Sequence, residues 1–160
     1  LAVVRFRKRE RPRRILVATA GGPHAGLATR LAISQARLYQ VESGETSEIT
    51  LFNILPQETD EFEKAQRCRR MEEIASRYAY PLTCKVVRAS DVVTGILQEA
   101  ESHNVVMVGA SAQGLFDQRI FGSIPETVVR ECTKTVIMTK RYWPLKSRLV
   151  RLTESIRGEF

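Results

Sequence analysis

The chain has 160 residues, of which 43% are hydrophobic and 27% charged, with nine glycines and six prolines. That length holds one ordinary domain with a real core, and that composition excludes a disordered or collagen-like chain. The net charge of +7 sits at the two ends: residues 5–14 carry +6, residues 140–160 carry +4, and residues 15–139 carry −3. A mildly acidic body argues against a nucleic-acid-binding face, which needs clustered Lys and Arg with aromatics. Basic ends suit an anionic membrane surface or are solvated arms.

Three cysteines, Cys68, Cys84 and Cys132, stand far apart, and the histidines His24 and His103 are isolated. No CxxC pair or His/Cys ligand spacing occurs, so neither a disulfide framework nor a metal site is expected, and a reducing cytoplasm fits. No apolar run approaches the roughly 20 residues that span a membrane. The start, LAVVRFRKRE, puts apolar residues before charges, the reverse of a secretory signal. In a longer protein, LAVV followed by RFRK reads as the end of a membrane span entering a basic cytoplasmic flank.

Taken in chain order, residues 1–12 form a basic arm. Arg14 to Ala20 is a short apolar run that ends at Gly21-Gly22-Pro23, the pattern of a buried strand and a turn. From Pro23 to Val41 apolar residues recur at helical spacing (Leu27, Leu31, Ala32, Ala36, Leu38-Tyr39), and Gly44 breaks the helix. Ser47 to Ile54 is a second strand. Glu58 to Tyr78 is a charged helix with apolar points at Phe62, Ala65, Met71, Ile74, Ala75 and Tyr78. Pro81 to Ala89 is a third strand, and Ser90-Asp91 caps a helix to about Ser102, with Val92, Ile96 and Leu97 inward. Asn104 to Gly109 is a fourth strand, Gly122 to Cys132 a helix, and Thr135 to Thr139 a fifth strand. Strands alternating with helices predict an α/β domain over residues 13–140: an open, five-stranded parallel sheet with helices on both faces. Residues 141–160 form a basic extension, with Leu145, Leu149, Leu152 and Ile156 on one helical face.

Ligands of such sheets bind beyond the carboxyl ends of the strands, where the strand order reverses. Two glycine-bearing loops follow strands there: Gly21-Gly22, and the segment from Gly109 to Gly122. Glycines let the backbone approach a phosphate, and Gly122-Ser123 opens a helix whose free N–H groups attract anions. The same glycines also serve simply to turn the chain.

The stretch Gly109-Ala110-Ser111-Ala112-Gln113-Gly114 with Gly122-Ser123-Ile124 resembles the signature of the universal stress protein family, and the element order from about Arg13 to Lys140 follows that family. The resemblance implies a Rossmann-like sheet of the adenine nucleotide alpha hydrolase type, with strand order 3-2-1-4-5. It also implies an ATP or AMP site at Thr19, Ala20, Gly21, Gly109, Ser111, Ala112, Gly114, Gly122, Ser123 and Ile124, with Mg accompanying only ATP. Two positions depart from the pattern. Ala112 replaces the second glycine, and Ala20 stands where the nucleotide-binding branch has Asp. The added methyl crowds a phosphate, and Ala20 removes a polar anchor. The family further implies a role in the stress response, and a homodimer through residues 135–139, whose edge is otherwise open to pairing. The combination of Ala20-Gly21-Gly22-Pro23 with Gly122-Ser123-Ile124-Pro125-Glu126 looks like the cytoplasmic regulatory domains carried by membrane transporters such as amino-acid permeases and anion channels.

A non-nucleotide-binding dimeric interaction module is the alternative that Ala20 and Ala112 favour. An enzyme is not expected. Gly109 and Gly114 have P-loop spacing, but Leu115-Phe116 replaces the required Lys-Ser/Thr, and neither histidine has a catalytic motif around it. Asp117 and Glu126 read as surface charges. The apolar stripe of residues 141–160 either packs on the domain or lies on an anionic membrane, packing being the commoner fate of such a helix.

Overall fold

The computed structural model describes residues 2–7, 10–20, 22–110 and 123–140, with the backbone alone at residues 22–24. The elements are β1 (Ala2–Arg5), β2 (Arg14–Ala18), α1 (Gly22–Ser43), β3 (Glu48–Pro56), α2 (Glu61–Ala75), β4 (Thr83–Ala89), α3 (Val92–Ala100), β5 (Val105–Gly109), α4 (Ser123–Glu131) and β6 (Thr135–Thr139). The expected strands and helices are all present to within a few residues. The extension 141–160, with its apolar stripe, lies outside the described residues.

The central strands are apolar on both faces because both faces are covered. Ile15, Leu16 and Val17 of β2 are wholly buried. Ile15 and Val17 join the core under α1 and α2, with Ala28, Ala32 and Met71. Leu16 and Ala18 point to the opposite face and join the core under α3 and α4, with Phe52, Ile96 and Val128. The helix boundaries follow local chemistry. The side chain of Asp60 accepts the N–H of Glu63 and that of Asp91 the N–H of Thr94, each at 2.7 Å, closing the amino ends of α2 and α3. Gly44, at φ +74°, takes the left-handed turn that ends α1 and donates its N–H to Gln40 O at 2.9 Å. Several of the expected apolar points face solvent instead: Leu38, Phe62, Ala65, Ile74 and Val92 are exposed, Phe62 at 78% in the first turn of α2.

The sheet has six strands in the order β1-β6-β5-β2-β3-β4. β2, β3, β4, β5 and β6 are parallel and reproduce the anticipated 3-2-1-4-5 order. The count of five is corrected by β1, which pairs antiparallel with β6 from Ala2 opposite Thr139 to Arg5 opposite Val136. The edge on which a second copy was expected to pair is therefore occupied by the chain's own amino-terminal segment. The basic arm is also not simply solvated. Arg5 Nη1 donates to the carbonyls of Val129 and Arg130, the latter at 3.0 Å, and Arg7 Nη2 reaches Arg130 O at 3.3 Å. These carbonyls end α4, where the helix dipole is negative, so two arm guanidiniums act as its carboxyl-terminal cap. Arg13 pairs with Glu45 at 2.9 Å. Hydrogen bonding from Tyr39, then the charge of Arg13, holds the Glu45 carboxyl below the usual range. Among the described residues no helix is long and apolar enough to cross a membrane.

Candidate functional site

β2 lies between β3 and β5, so the chain leaves its carboxyl end toward α1 while β5 delivers the next loop to α4 on the other face. This is the reversal point of the sheet, and a ligand placed there meets backbone from both sides. Thr19 continues β2 by donating its N–H to Phe52 O at 2.8 Å. Gly109, opposite Thr139 at the end of β5, is half-buried, as is Ile124 in the first turn of α4, while Ser123 is exposed. Thr19, Ala20, Gly109, Ser123 and Ile124 therefore all stand at the carboxyl side of the sheet. Gly21, Ser111, Ala112, Gly114 and Gly122 lie outside the described residues.

A cavity of about 390 Å³ opens at this end, between α1, α2, the carboxyl end of β2 and the middle of β3. Its floor is Thr19, Ala20, Leu51 and Asn53. Ala25, Gly26 and Thr29 of α1 form one wall, and Arg67, Arg70, Met71 and Ile74 of α2, with Tyr78, form the other. The size matches that of small-molecule pockets, roughly 300–1,000 Å³. At Gly26 the wall is low: a Cβ there would come no nearer than 3.7 Å to Arg30 Nη1 and 3.8 Å to Tyr78 Oη. Two larger depressions, one beside Tyr80 and Cys84 and one beside Ser47 and Glu48, border the amino-terminal halves of β3 and β4 and do not adjoin the reversal point.

Asn53 decides what the cavity can do. It is 5% exposed, and its Nδ2 donates to Thr19 O at 2.5 Å, which aligns the ends of β2 and β3. Its Oδ1, itself fully buried, has no hydrogen-bond partner among the described residues. A buried acceptor left unpaired costs about 1–3 kcal/mol. Arg67 and Arg70 make no ion pair or hydrogen bond with any described residue. The cavity thus combines a buried acceptor, two cations and an apolar lining of Leu51, Met71 and Ile74.

Sequence reasoning missed Asn53, Arg67 and Arg70. Asn53 was legible as the one amide in the apolar run LFNIL, a residue that strands disfavour. Arg67 and Arg70 share the helical spacing of Met71 and Ile74, but in a helix with three arginines and a lysine spacing alone does not single them out. His103 is satisfied elsewhere. It is 7% exposed before β5, its Nδ1 lies 2.9 Å from Glu99 O, and its Nε2 lies 3.3 Å from Thr50 Oγ1. It braces the amino end of the sheet, away from the cavity.

The sequence pattern of the universal stress protein family matches residues 12–140. The chain belongs to that family. No curated protein matches the sequence. Solved structures agree on the fold. Universal stress protein UspA from Lactobacillus plantarum superposes with a TM-score of 0.66 at 17% identity, over 81% of this chain and 99% of that one. A universal stress protein from Archaeoglobus fulgidus DSM 4304 gives 0.61 at 21% identity, over 82% of this chain but 46% of that one, so this chain spans about half its length. A universal stress protein in complex with cAMP gives 0.63 at 15% identity, over 83% of this chain and all of that one.

Proposed function

We propose that the chain is a nucleotide-binding regulatory domain that takes AMP or ATP at the carboxyl ends of β2 and β3 and transmits occupancy to a partner without turnover. The observation that carries this reading is a cavity of about 390 Å³, a size that suits a mononucleotide, at the carboxyl end of β2 and lined by Thr19, Ala20, Asn53, Arg67 and Arg70. Family membership and the cAMP complex of a related fold support the class of ligand. Ala20 withholds a carboxylate from the cavity floor, so Asn53 supplies the polar anchor instead. Attachment to a membrane transporter on its cytoplasmic side is the larger setting we propose, resting on the sequence resemblance; the amino-terminal segment, paired into the sheet as β1 and capping α4 with Arg5 and Arg7, does not read as the end of a membrane span.

Equilibrium binding tests the reading. AMP, ATP and cAMP are titrated into the protein by calorimetry, and purified protein is denatured and searched for released nucleotide by mass spectrometry. Saturable binding of at least one, without phosphate release from ATP, is expected. Absence of binding at millimolar nucleotide leaves the pure interaction module as the better reading.

A further inference from the structure

Cys68 of α2 and Cys84 of β4, the strand at one edge of the sheet, are both free thiols, half-buried against the core that holds Met71 and Val86. α2 joins two parallel strands, β3 and β4, so it runs antiparallel to both. Its start is fixed by the ion pair of Glu61 with Arg88, at 2.8 Å, near the carboxyl end of β4. From Glu61 to Cys68 the helix advances about 10 Å at about 1.5 Å per residue, and from Arg88 back to Cys84 the strand covers about 13 Å at about 3.3 Å per residue. The two cysteines therefore stand at nearly the same level. They also share a face. Cys84, Val86 and Arg88 alternate onto the α2 side of β4, and Cys68, Met71 and Ala75 share the inner stripe of α2. In the next two turns of α2, Glu72 and Ala75 line an open depression of about 580 Å³ together with Cys84, so a small solute reaches that side of the pair. The Cys84 thiol is held up by burial first, and then by the neighbouring Glu72 and Cys68.

We propose that Cys68 and Cys84 are an oxidative modification site, converted by hydrogen peroxide to a disulfide that ties α2 to the edge strand. One thiol gives an electron pair to a peroxide oxygen; the O–O bond breaks, a sulfenic acid forms and water leaves. The second thiol attacks that sulfur; the S–S bond forms, the S–O bond breaks, and the hydroxyl leaves as a second water. The sulfurs together lose two electrons and the peroxide gains them. A disulfide holds its Cα atoms within about 7 Å of one another, so the bond pins α2 on β4. Arg67, Met71 and Ile74 belong to the same stretch of α2 and line the cavity, so oxidation fixes one wall of the candidate site. The bond itself does not depend on a nucleotide. Cys132 takes no part, because it is buried in the opposite core, under α3 and α4.

The test treats the full chain with millimolar hydrogen peroxide and blocks the remaining thiols with N-ethylmaleimide. A digest is then mapped by mass spectrometry, with and without dithiothreitol. Wild type and C132S are each expected to lose two free thiols and to yield one peptide pair that joins Cys68 to Cys84 and is released by dithiothreitol. An unchanged mass on a non-reducing gel places that bond within one chain. Because the bond closes a loop, oxidised wild type is expected to melt at a higher temperature than reduced wild type, and C68S to show no such rise. The mapping needs no substitution, so it decides the question even should C68S fold poorly. Separate oxidation of Cys68 and Cys84 to sulfinic acids, a bond to Cys132, or a bond formed only between chains overturns the assignment. So does a wild type that keeps all its thiols free under peroxide.

Discussion

Asn53 carries one satisfied and one unsatisfied polar group: its amide N–H donates to Thr19 O, while its Oδ1 is buried with no partner among the described residues. Asn53→Leu removes both halves of the side chain's polarity and extends the apolar lining of Leu51 and Met71. The expected outcome is stability within about 1 kcal/mol of wild type, because loss of the Thr19 bond and loss of an unpaired acceptor oppose one another. Ligand affinity in the same variant falls at least about ten-fold, read by denaturant melts and calorimetry together. Asp91 offers a pH test. Hydrogen bonds from the Thr94 N–H and hydroxyl hold its carboxyl below the usual range. A depressed carboxylate stabilises the fold above its unfolded-state pKa, and that contribution disappears as pH falls through the folded-state value. Asp91→Ala therefore melts at lower temperature than wild type near neutral pH, and the two curves converge in acid. Burial raises the thiols of Cys84 and Cys132, so both alkylate more slowly in the native protein at pH 8 than in urea. The Asp91 cap was legible from Ser90-Asp91 alone, since capping is local. Asn53 stood out in the sequence only as an amide in an apolar run; its place in the cavity depends on α2 folding over it.

At the scale of elements, the five parallel strands were readable because each is a short apolar run bounded by turn residues or charges. β1 was not. AVVR has no periodicity of its own, and the charges that follow it read as a flank. Its strand conformation comes from pairing with β6, and the arginines after it are placed by the carboxyl end of α4. β1 satisfies the edge of β6 that a second copy would otherwise use. We propose that dimerisation through residues 135–139 competes with β1. Deleting residues 1–7 is then expected to raise self-association, seen as a larger mass by light scattering at micromolar concentration. A truncated chain that stays as monomeric as the full one places any dimer contact elsewhere. The helices place their own demands. Gly95 of α3 packs so close to the sheet that a Cβ would lie 2.7 Å from Ile54 Cδ1 and 3.4 Å from Ala89 Cβ. Ile54 can yield to one methyl but not to a branched side chain. Gly95→Val is expected to cost about 1–3 kcal/mol, measured by chemical denaturation.

Across the whole molecule, strand order fixes where function can reside. β2 sends its carboxyl end toward α1, and the cavity forms on the α1/α2 side of that point. The sequence located this end of the sheet through Gly21, Gly109 and Gly122, because glycine-bearing loops after strands are local signals. It did not show which face carries the cavity, because that depends on α2 crossing over Asn53. Phe52 is buried on the face opposite the cavity and does not line it, so Phe52→Ala is expected to cost about 3–5 kcal/mol without selective loss of binding in the folded fraction. The central claim is that the cavity above Asn53 holds a nucleotide. Calorimetric titration of AMP into wild type and Asn53→Leu tests it most directly. Saturable binding at one site, with a dissociation constant of about micromolar order in wild type and strong weakening in Asn53→Leu, is the predicted result. Equal affinity in the two proteins, or no binding by wild type at millimolar AMP, contradicts it.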